Sequence, residues 1–476
     1  MTRGLKPYWS TYATYYDGDY WAPATEMPFS RDRISSTMSG APALNGQFWV
    51  VWHTDDREEN QITVPRNNQV WACVLTPSTP VPVSKLATAA PEGPVAAAGH
   101  ADEPGDVKRI RGHTVTIGNR QHRIYRGDLH RHTEFSTDSG GAGDGSVPDF
   151  FRYMIDAASM DFGAVTDHSA GGDNEYWWWL TQKLTEMHQA PGRYLALFGN
   201  ERSVTFPNGH RNTLHAERNV PAIKFYFKST MPEAYNTSEA SSRDLADNDT
   251  KLLYTELRRT RGIAISHTSA AFWGTDWRDN DPEVEPVVEI FQGLRNSYEH
   301  ERAPASQDPN NPAVLPRGFD GHYQPAGFVW NAWAKGYRLG VIASSDHSST
   351  HLSYALLYSA EPTRAGLLEA MRKRHTYAAT DNILLEYWMG DHFMGDEFTT
   401  DRLPELKVKA RGTAPVAKVS IIRSNQYISQ QQPNTPNVDF TFRDTSPLKG
   451  ASYYYVRVEQ ADGQMAWSSP IWVNLR

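Results

Sequence analysis

From about residue 124 onward, short apolar runs recur, most of which end in, or lie beside, a histidine or an acid, and this pattern constrains the fold more than any other feature. The segment RGDLHRHTEFSTDS closes the first run and carries His130, His132 and Asp138. In an extended strand, residues two apart share a face, so His130 and His132 project together while Leu129 and Arg131 point the other way. Two imidazoles on one face are half of a metal site. Asp167 and His168 close a second run and Glu201 a third. His210 lies just before a fourth, His267 follows a fifth, and Asp346 and His347 follow the last.

The runs themselves, residues 124–130, 162–166, 194–198, 212–216, 263–266, 287–291 and 339–343, read as strands. Between them lie helical patterns: SVPDFFRYMIDAASM with Ser146 as cap, EYWWWLTQKLTEMHQ, DTKLLYTELRRTRG ending at Gly262, GFVWNAWAKG ending at Gly336, and TRAGLLEAMRKRH. Alternating β and α predicts a parallel sheet, open or closed. Polar residues at the C-terminal ends of successive parallel strands are what a barrel active site requires, whereas a doubly wound sheet gathers them at one switch point. The expected architecture is therefore α/β, with a barrel over residues 121–400. An N-terminal β segment over 1–76, a linker and entry-strand region over 77–120, and a β-sandwich-like domain over 401–476 flank it.

The flanks differ in composition. Residues 48–52 and 70–75 are rich in aromatic and β-branched side chains, and NGQFWVVWHTDDR resembles one blade of a β-propeller. The stretch PSTPVPVSKLATAAPEGPVAAAGHADEPGD has almost no large apolar residue and reads as a linker. Beyond residue 401, runs at 406–410, 418–423, 438–442, 453–459 and 465–473 are all β, with Asp462-Gly463 as a hairpin signal. That domain is either a carbohydrate- or partner-binding module or a packing domain covering the barrel.

Charge and hydropathy narrow the partners. A net charge of -8 with no basic run argues against nucleic acid. No apolar run is long enough to span a bilayer, so no membrane partner is expected. Cys73 is the single cysteine, which excludes an internal disulfide framework. MTRGLKPYWSTYATYY lacks the apolar core of a leader, and the compartment stays open between the cytoplasm and a periplasmic or secreted location.

The candidate metal ligands are His130, His132, Asp138, His168, Glu201, His210, His267, Asp346 and His347, too many for one ion. Two or three divalent cations, with Glu201 bridging, would use them, and imidazole with carboxylate suits Zn, Mn or Fe. His215, His322, His351 and His375 are read as ordinary surface or hydrogen-bonding histidines. Asp167 either orients His168 or caps a turn.

The order His-x-His, an aspartate six residues later, Thr-Asp-His, Gly-Asn-Glu, Ser-His-Thr and Ser-Ser-Asp-His resembles the PHP family, the polymerase and histidinol phosphatase domain, over roughly residues 124–380. GASYYYVRVEQADGQMAWSSPIWV, with ASSDHSSTHLSYALLYS and RKRHTYAAT, further resembles a PHP branch that carries this β domain and has no assigned substrate. The resemblance implies a distorted (β/α)7 barrel with up to three metals. His130, His132, Glu201 and Asp346 would hold one ion; Glu201, His210 and His267 a second; Asp138, His168 and a final histidine a third. The family usually ends in Asp-x-His, but here His347 directly follows Asp346 and Ser348 stands at the expected histidine position.

The activity expected is metal-dependent hydrolysis of a small-molecule phosphoester by activated water, with Asp346 and Glu201 in the reacting centre. Arg202 and Arg211, beside Glu201 and His210, are the nearest cations in sequence for the phosphoryl oxygens, or else salt-bridge residues. A carboxylic ester, lactone or amide is the alternative substrate, and a metal-stabilised scaffold without activity is the third reading.

Overall fold

A computed structural model of the chain describes residues 10–31, 35–55, 68–77, 102–136, 144–168, 175–204, 206–221, 249–271, 273–293, 296–306, 324–347 and 352–476. By its contacts the chain divides into two compact units, one drawn from residues before Asp102 and the other running to Arg476. Asp138, His322, Ser348 and His351 lie outside the described residues.

In the first unit, β1 (Tyr12–Ala13) and β2 (Thr25–Glu26) form a short antiparallel pair. β3 (Ser35–Pro42), β4 (Phe48–Asp55) and β5 (Asn68–Leu75) form a three-stranded antiparallel sheet with β4 central. The two apolar runs are thus a true strand pair, Phe48 opposite Leu75. A propeller blade has four strands, and three are described here.

The second unit opens with α1 (Glu103–Gly112), in a region expected to be linker and entry strand. Pro104 near its start and the buried pair Val107 and Ile110, one turn apart, account for the helix. β6 (Thr114–Ile117) and β7 (Arg120–Asp128) follow as a hairpin. Next come α2 (Val147–Arg152), β8 (Phe162–Ala164), α3 (Glu175–Met187), β9 (Leu195–Arg202) and β10 (Arg211–His215). Then follow α4 (Asp249–Thr260), β11 (Ile263–Ser266), β12 (Val287–Gln292), α5 (Val329–Ala334) and β13 (Gly340–Ser344). Ser146 caps α2 in a reciprocal box with Asp149.

All seven expected strands are present, but the sheet is not uniformly parallel. β7–β8–β9 and β11–β12–β13 are parallel, while β10 is antiparallel to both β9 and β11. The reason lies in the chain: among the described residues no helix separates β9 from β10, and so short a connection returns antiparallel. A parallel bridge between Arg131 and Asp346 joins the ends of β7 and β13. The fold is therefore mixed α/β with strands dominant, and an uninterrupted series of strand–helix repeats is not what the ladder shows.

Apolar side chains on and beside these strands pack as one buried cluster that includes Leu129, Leu195, Leu197, Ile263, Ile265, Val287 and Ile342. Each contributes roughly 1.5–3 kcal/mol by leaving water. This cluster is the floor on which the polar residues stand.

β12 to β13 is followed by β14 (Tyr354–Ser359), α6 (Arg364–Arg372) and β15 (Thr376–Ala379). The remaining strands are β16 (Leu384–Met389), β17 (His392–Phe393), β18 (Glu397–Thr400), β19 (Glu405–Arg423), β20 (Gln426–Gln431), β21 (Thr435–Arg443), β22 (Gly450–Gln460), β23 (Met465–Ser468) and β24 (Ile471–Leu475). The turn at Asp462-Gly463 joins β22 to β23 as expected, with Gly463 at φ 87°. This all-β part is hydrogen-bonded to the rest of its unit, because β15 pairs with β23, Ala378 opposite Trp467.

Candidate metal centre

Strand direction explains how residues scattered over more than two hundred positions meet. His130, His132, His168, His267, Asp346 and His347 all follow strands of the parallel sets, and Glu201 is the penultimate residue of β9. They therefore occupy one rim. His210 precedes its strand, but β10 runs the other way, so the start of β10 lies at that same rim, with Asn212 opposite Glu201. The same reversal carries His215 to the far end of β10. There it packs against Gly262, and it is not an alternative to His210.

Glu201 is fully buried at the centre. Its Oε2 lies 3.1 Å from His130 Nε2 and 3.3 Å from His132 Nε2. Its Oε1 lies 2.5 Å from His210 Nδ1, 3.2 Å from His168 Nδ1 and 3.5 Å from His267 Nε2. Asp346 Oδ1 faces a second set: His132 Nε2 at 3.1 Å, His347 Nε2 at 3.4 Å and His130 Nε2 at 3.6 Å. Asp346 holds φ at 70°, a left-handed conformation uncommon outside glycine, and its backbone carbonyl accepts from Arg131 Nη1 at 2.6 Å.

Four of the six rings share one polarity. His130, His132, His267 and His347 turn Nε2 inward and tie Nδ1 to a group outside the cluster. Those outer partners are Glu289 at 3.0 Å, Ser136 at 3.1 Å, Thr268 at 3.2 Å and Asp144 at 2.6 Å respectively. His168 differs, since its Nδ1 meets both Glu201 and Ser203 Oγ. Asp167 caps a turn: its carboxylate accepts from Thr133 N at 2.5 Å and Thr133 Oγ1 at 2.7 Å, pinning the segment just after His132.

The electrostatics follow from this crowding. Burial alone would raise Glu201, but the imidazoles of His168, His267 and His210 outweigh it and hold the carboxyl well below its usual range. Asp346 is likewise held well below, against burial, by His130, His132 and His347. Burial disfavours protonation of His130, yet Asp346, Glu289 and Glu201 overcome it and the imidazole is held well above its ordinary range. At His267 burial, reinforced by the charge of His130, pushes the imidazole well below.

The donor set fits divalent cations. Converging nitrogens and carboxylate oxygens form four groups: His130, His132 and Asp346; His168, Glu201 and His210; His132, His168 and His347; and His130, His267 and Glu289. The buried Nε2 of His267 has no hydrogen-bond partner among the described residues, as expected of an atom reserved for a ligand. His347 enters the cluster beside His132, their rings stacked at 4.2 Å, although the chain lacks the usual final Asp-x-His spacing.

The two arginines are elsewhere. Side chains alternate along a strand, so Arg202 and its register partner Arg211 lie on the opposite face of the sheet from Glu201. Arg211 donates from Nε to Glu285 at 2.9 Å and from Nη1 to the Asn208 carbonyl. Of the two roles expected for these arginines, Arg211 takes the salt bridge, and neither lies on the strand face of Glu201 from which a phosphoryl group at the cluster would be reached. Conversely, Glu289, Gln292, Asp144, Ser136 and Ser203 were not expected at the site. An acid inside the apolar run VVEIFQ was the one visible signal for Glu289; Asp144, in a glycine-rich loop, gave none.

No family model matches the chain. An uncharacterised protein of Chlamydia pneumoniae is 32% identical over 359 residues, which make up 68% of this chain and 54% of that protein. Another, of Chlamydia trachomatis, is 30% identical over 241 residues, 44% of this chain and 38% of its own length. The chain thus spans about half, or less, of these relatives. A solved two-domain protein of Bacteroides vulgatus, containing a predicted PHP-like metal-dependent phosphoesterase, is similar at 12% identity and a TM-score of 0.36, covering 75% of this chain and 98% of that one. At that TM-score the likeness carries no argument, and function rests on the site's own residues.

Proposed function

We propose that this chain is a metal-dependent hydrolase of small-molecule phosphoesters, built as a PHP-type domain in which β7 to β13 form a distorted (β/α)7 barrel. The observation that carries the reading is the split carboxylate of Glu201, whose two oxygens face two different sets of imidazoles. A single ion needs no such division; a bridged pair does. His130, His132, Glu201 and Asp346 would hold one cation, Glu201, His168, His210 and His267 a second, and His132, His168 and His347 offer room for a third. Mn, Zn and Fe suit these donors. Bound there, divalent cations would supply Lewis acidity toward water and toward charge on a phosphoryl group.

The chain's own part is arrangement. Asp346, ionised and facing three imidazoles, is suited to orient the attacking water and is too weak a base to take its proton. The split Glu201 fixes the spacing. With Arg202 and Arg211 turned away, the charge on the substrate is met by the cluster rather than by guanidinium groups. Among the described residues no helix is long and apolar enough to cross a membrane. The test is a panel of phosphomonoesters, phosphodiesters and carboxylic esters assayed with metal-loaded protein. Metal-dependent turnover of a phosphoester supports the proposal, and turnover confined to carboxylic esters would replace it.

A further inference from the structure

We infer that Glu289 and Gln292 of β12 form a positioning pair that fixes the ring of His130, and that Glu289 is not itself a metal ligand. The inference rests on the metal-centre reading above and deepens it. Glu289 is fully buried, and a carboxylate so placed needs partners for both oxygens. It has them: Oε2 faces His130 Nδ1 at 3.0 Å, and Oε1 accepts from Gln292 Nε2 at 3.0 Å. In a regular strand, residues three apart face opposite sides. Here the register against β13 shifts between Glu289 and Phe291, and that bulge turns Gln292 to the same face as Glu289. The irregularity thus has a local consequence: it supplies the carboxylate with its second partner.

A carboxylate can only accept, so Glu289 places the Nδ1 proton of His130 on its own side. In the neutral ring Nε2 is then left for a cation held beside Glu201 and Asp346. The hydroxyls of Ser136 and Thr268, which tie His132 and His267, can donate or accept and impose no such choice. Glu289 therefore fixes both the orientation and the tautomer of a ring that stands within reach of both cluster carboxylates.

The experiment uses the full chain and zinc. Apparent zinc affinity and the number of ions at saturation are measured by competition with a chromophoric chelator for the parent, Glu289→Gln and Gln292→Met. Nuclear magnetic resonance of ¹⁵N-histidine-labelled protein reports the Nδ1 proton of His130 with and without zinc. The expected result is a loss of affinity of roughly 10–100-fold in Glu289→Gln at unchanged stoichiometry, with a smaller loss in Gln292→Met. The downfield Nδ1 proton is present in the parent and absent in Glu289→Gln. Unchanged zinc affinity in both variants, or one ion fewer at saturation, overturns the inference, as does absence of that proton in the parent. Should Glu289→Gln fail to fold, Gln292→Met decides, because it keeps the carboxylate. A parent that takes up no metal sinks the proposed function instead, while the proton still decides the contact between Glu289 and His130.

Discussion

His215 offers a quantitative test that does not depend on the metal centre. It is the last residue of β10, 2% exposed, and its ring fills the space over Gly262, where an added Cβ would come within 2.4 Å of His215 Cε1. Its Nδ1 has no partner among the described residues. Burial pushes its imidazole down to about 4, from the ordinary histidine value of 6.5. The folded state is then reluctant to bind a proton that the unfolded chain accepts, so stability is complete above pH 6.5 and falls as pH drops toward 4. Over that window the loss amounts to about 3 kcal/mol, at 1.36 kcal/mol per unit. The perturbation is His215→Leu, which removes the titration. Chemical unfolding of parent and variant at pH 7, 5.5 and 4, with chelator present, isolates the group, since every other titration is shared. The parent should lose about 3 kcal/mol more than the variant between pH 7 and 4. Acid sensitivities equal to within about 1 kcal/mol would refute the account of His215 as a buried neutral ring.

Further outcomes follow from the same contacts. Asp346→Ala and His132→Ala should each cut metal-dependent turnover by at least about a hundredfold, more than an outer partner is worth, with unchanged circular dichroism; most of the activity surviving would show the site to be misassigned. Arg211→Met leaves Glu285 buried without its cation, and should cost about 3–5 kcal/mol in unfolding experiments while the KM for phosphoester in the folded fraction stays put. Deleting residues 401–476 removes the strand that pairs with β15 and much of an apolar cluster that includes Leu406, Val408 and Val456 together with Tyr194 and Tyr377; the truncated chain should be insoluble, and recovery of an active soluble monomer would contradict this.

Much of the site was legible because its chemistry is local. His130 and His132 obey the alternation of an extended segment, and acids or imidazoles following apolar runs mark the rim of a sheet. What sequence could not show was strand direction. His210 looks misplaced before its strand until β10 is found to be antiparallel, and the proximity of Arg202 and Arg211 to the ligands misleads until alternation turns them outward. The outer partners were hidden for a different reason: Gln292 reaches Glu289 through a register shift, and Asp144 reaches His347 across a separation of 203 positions. Helix α1 was missed because Pro- and Ala-rich sequence before it obscured a short amphipathic stretch.

The central claim is that Glu201 bridges a multinuclear centre, and elemental analysis of protein purified without chelator tests it most directly. The account predicts two or three equivalents of Zn, Mn or Fe per chain, on the order expected for a bridged site, with a marked fall in Glu201→Gln. Less than about half an equivalent, not restored by added Mn or Zn, would contradict it and leave the cluster as a metal-free scaffold.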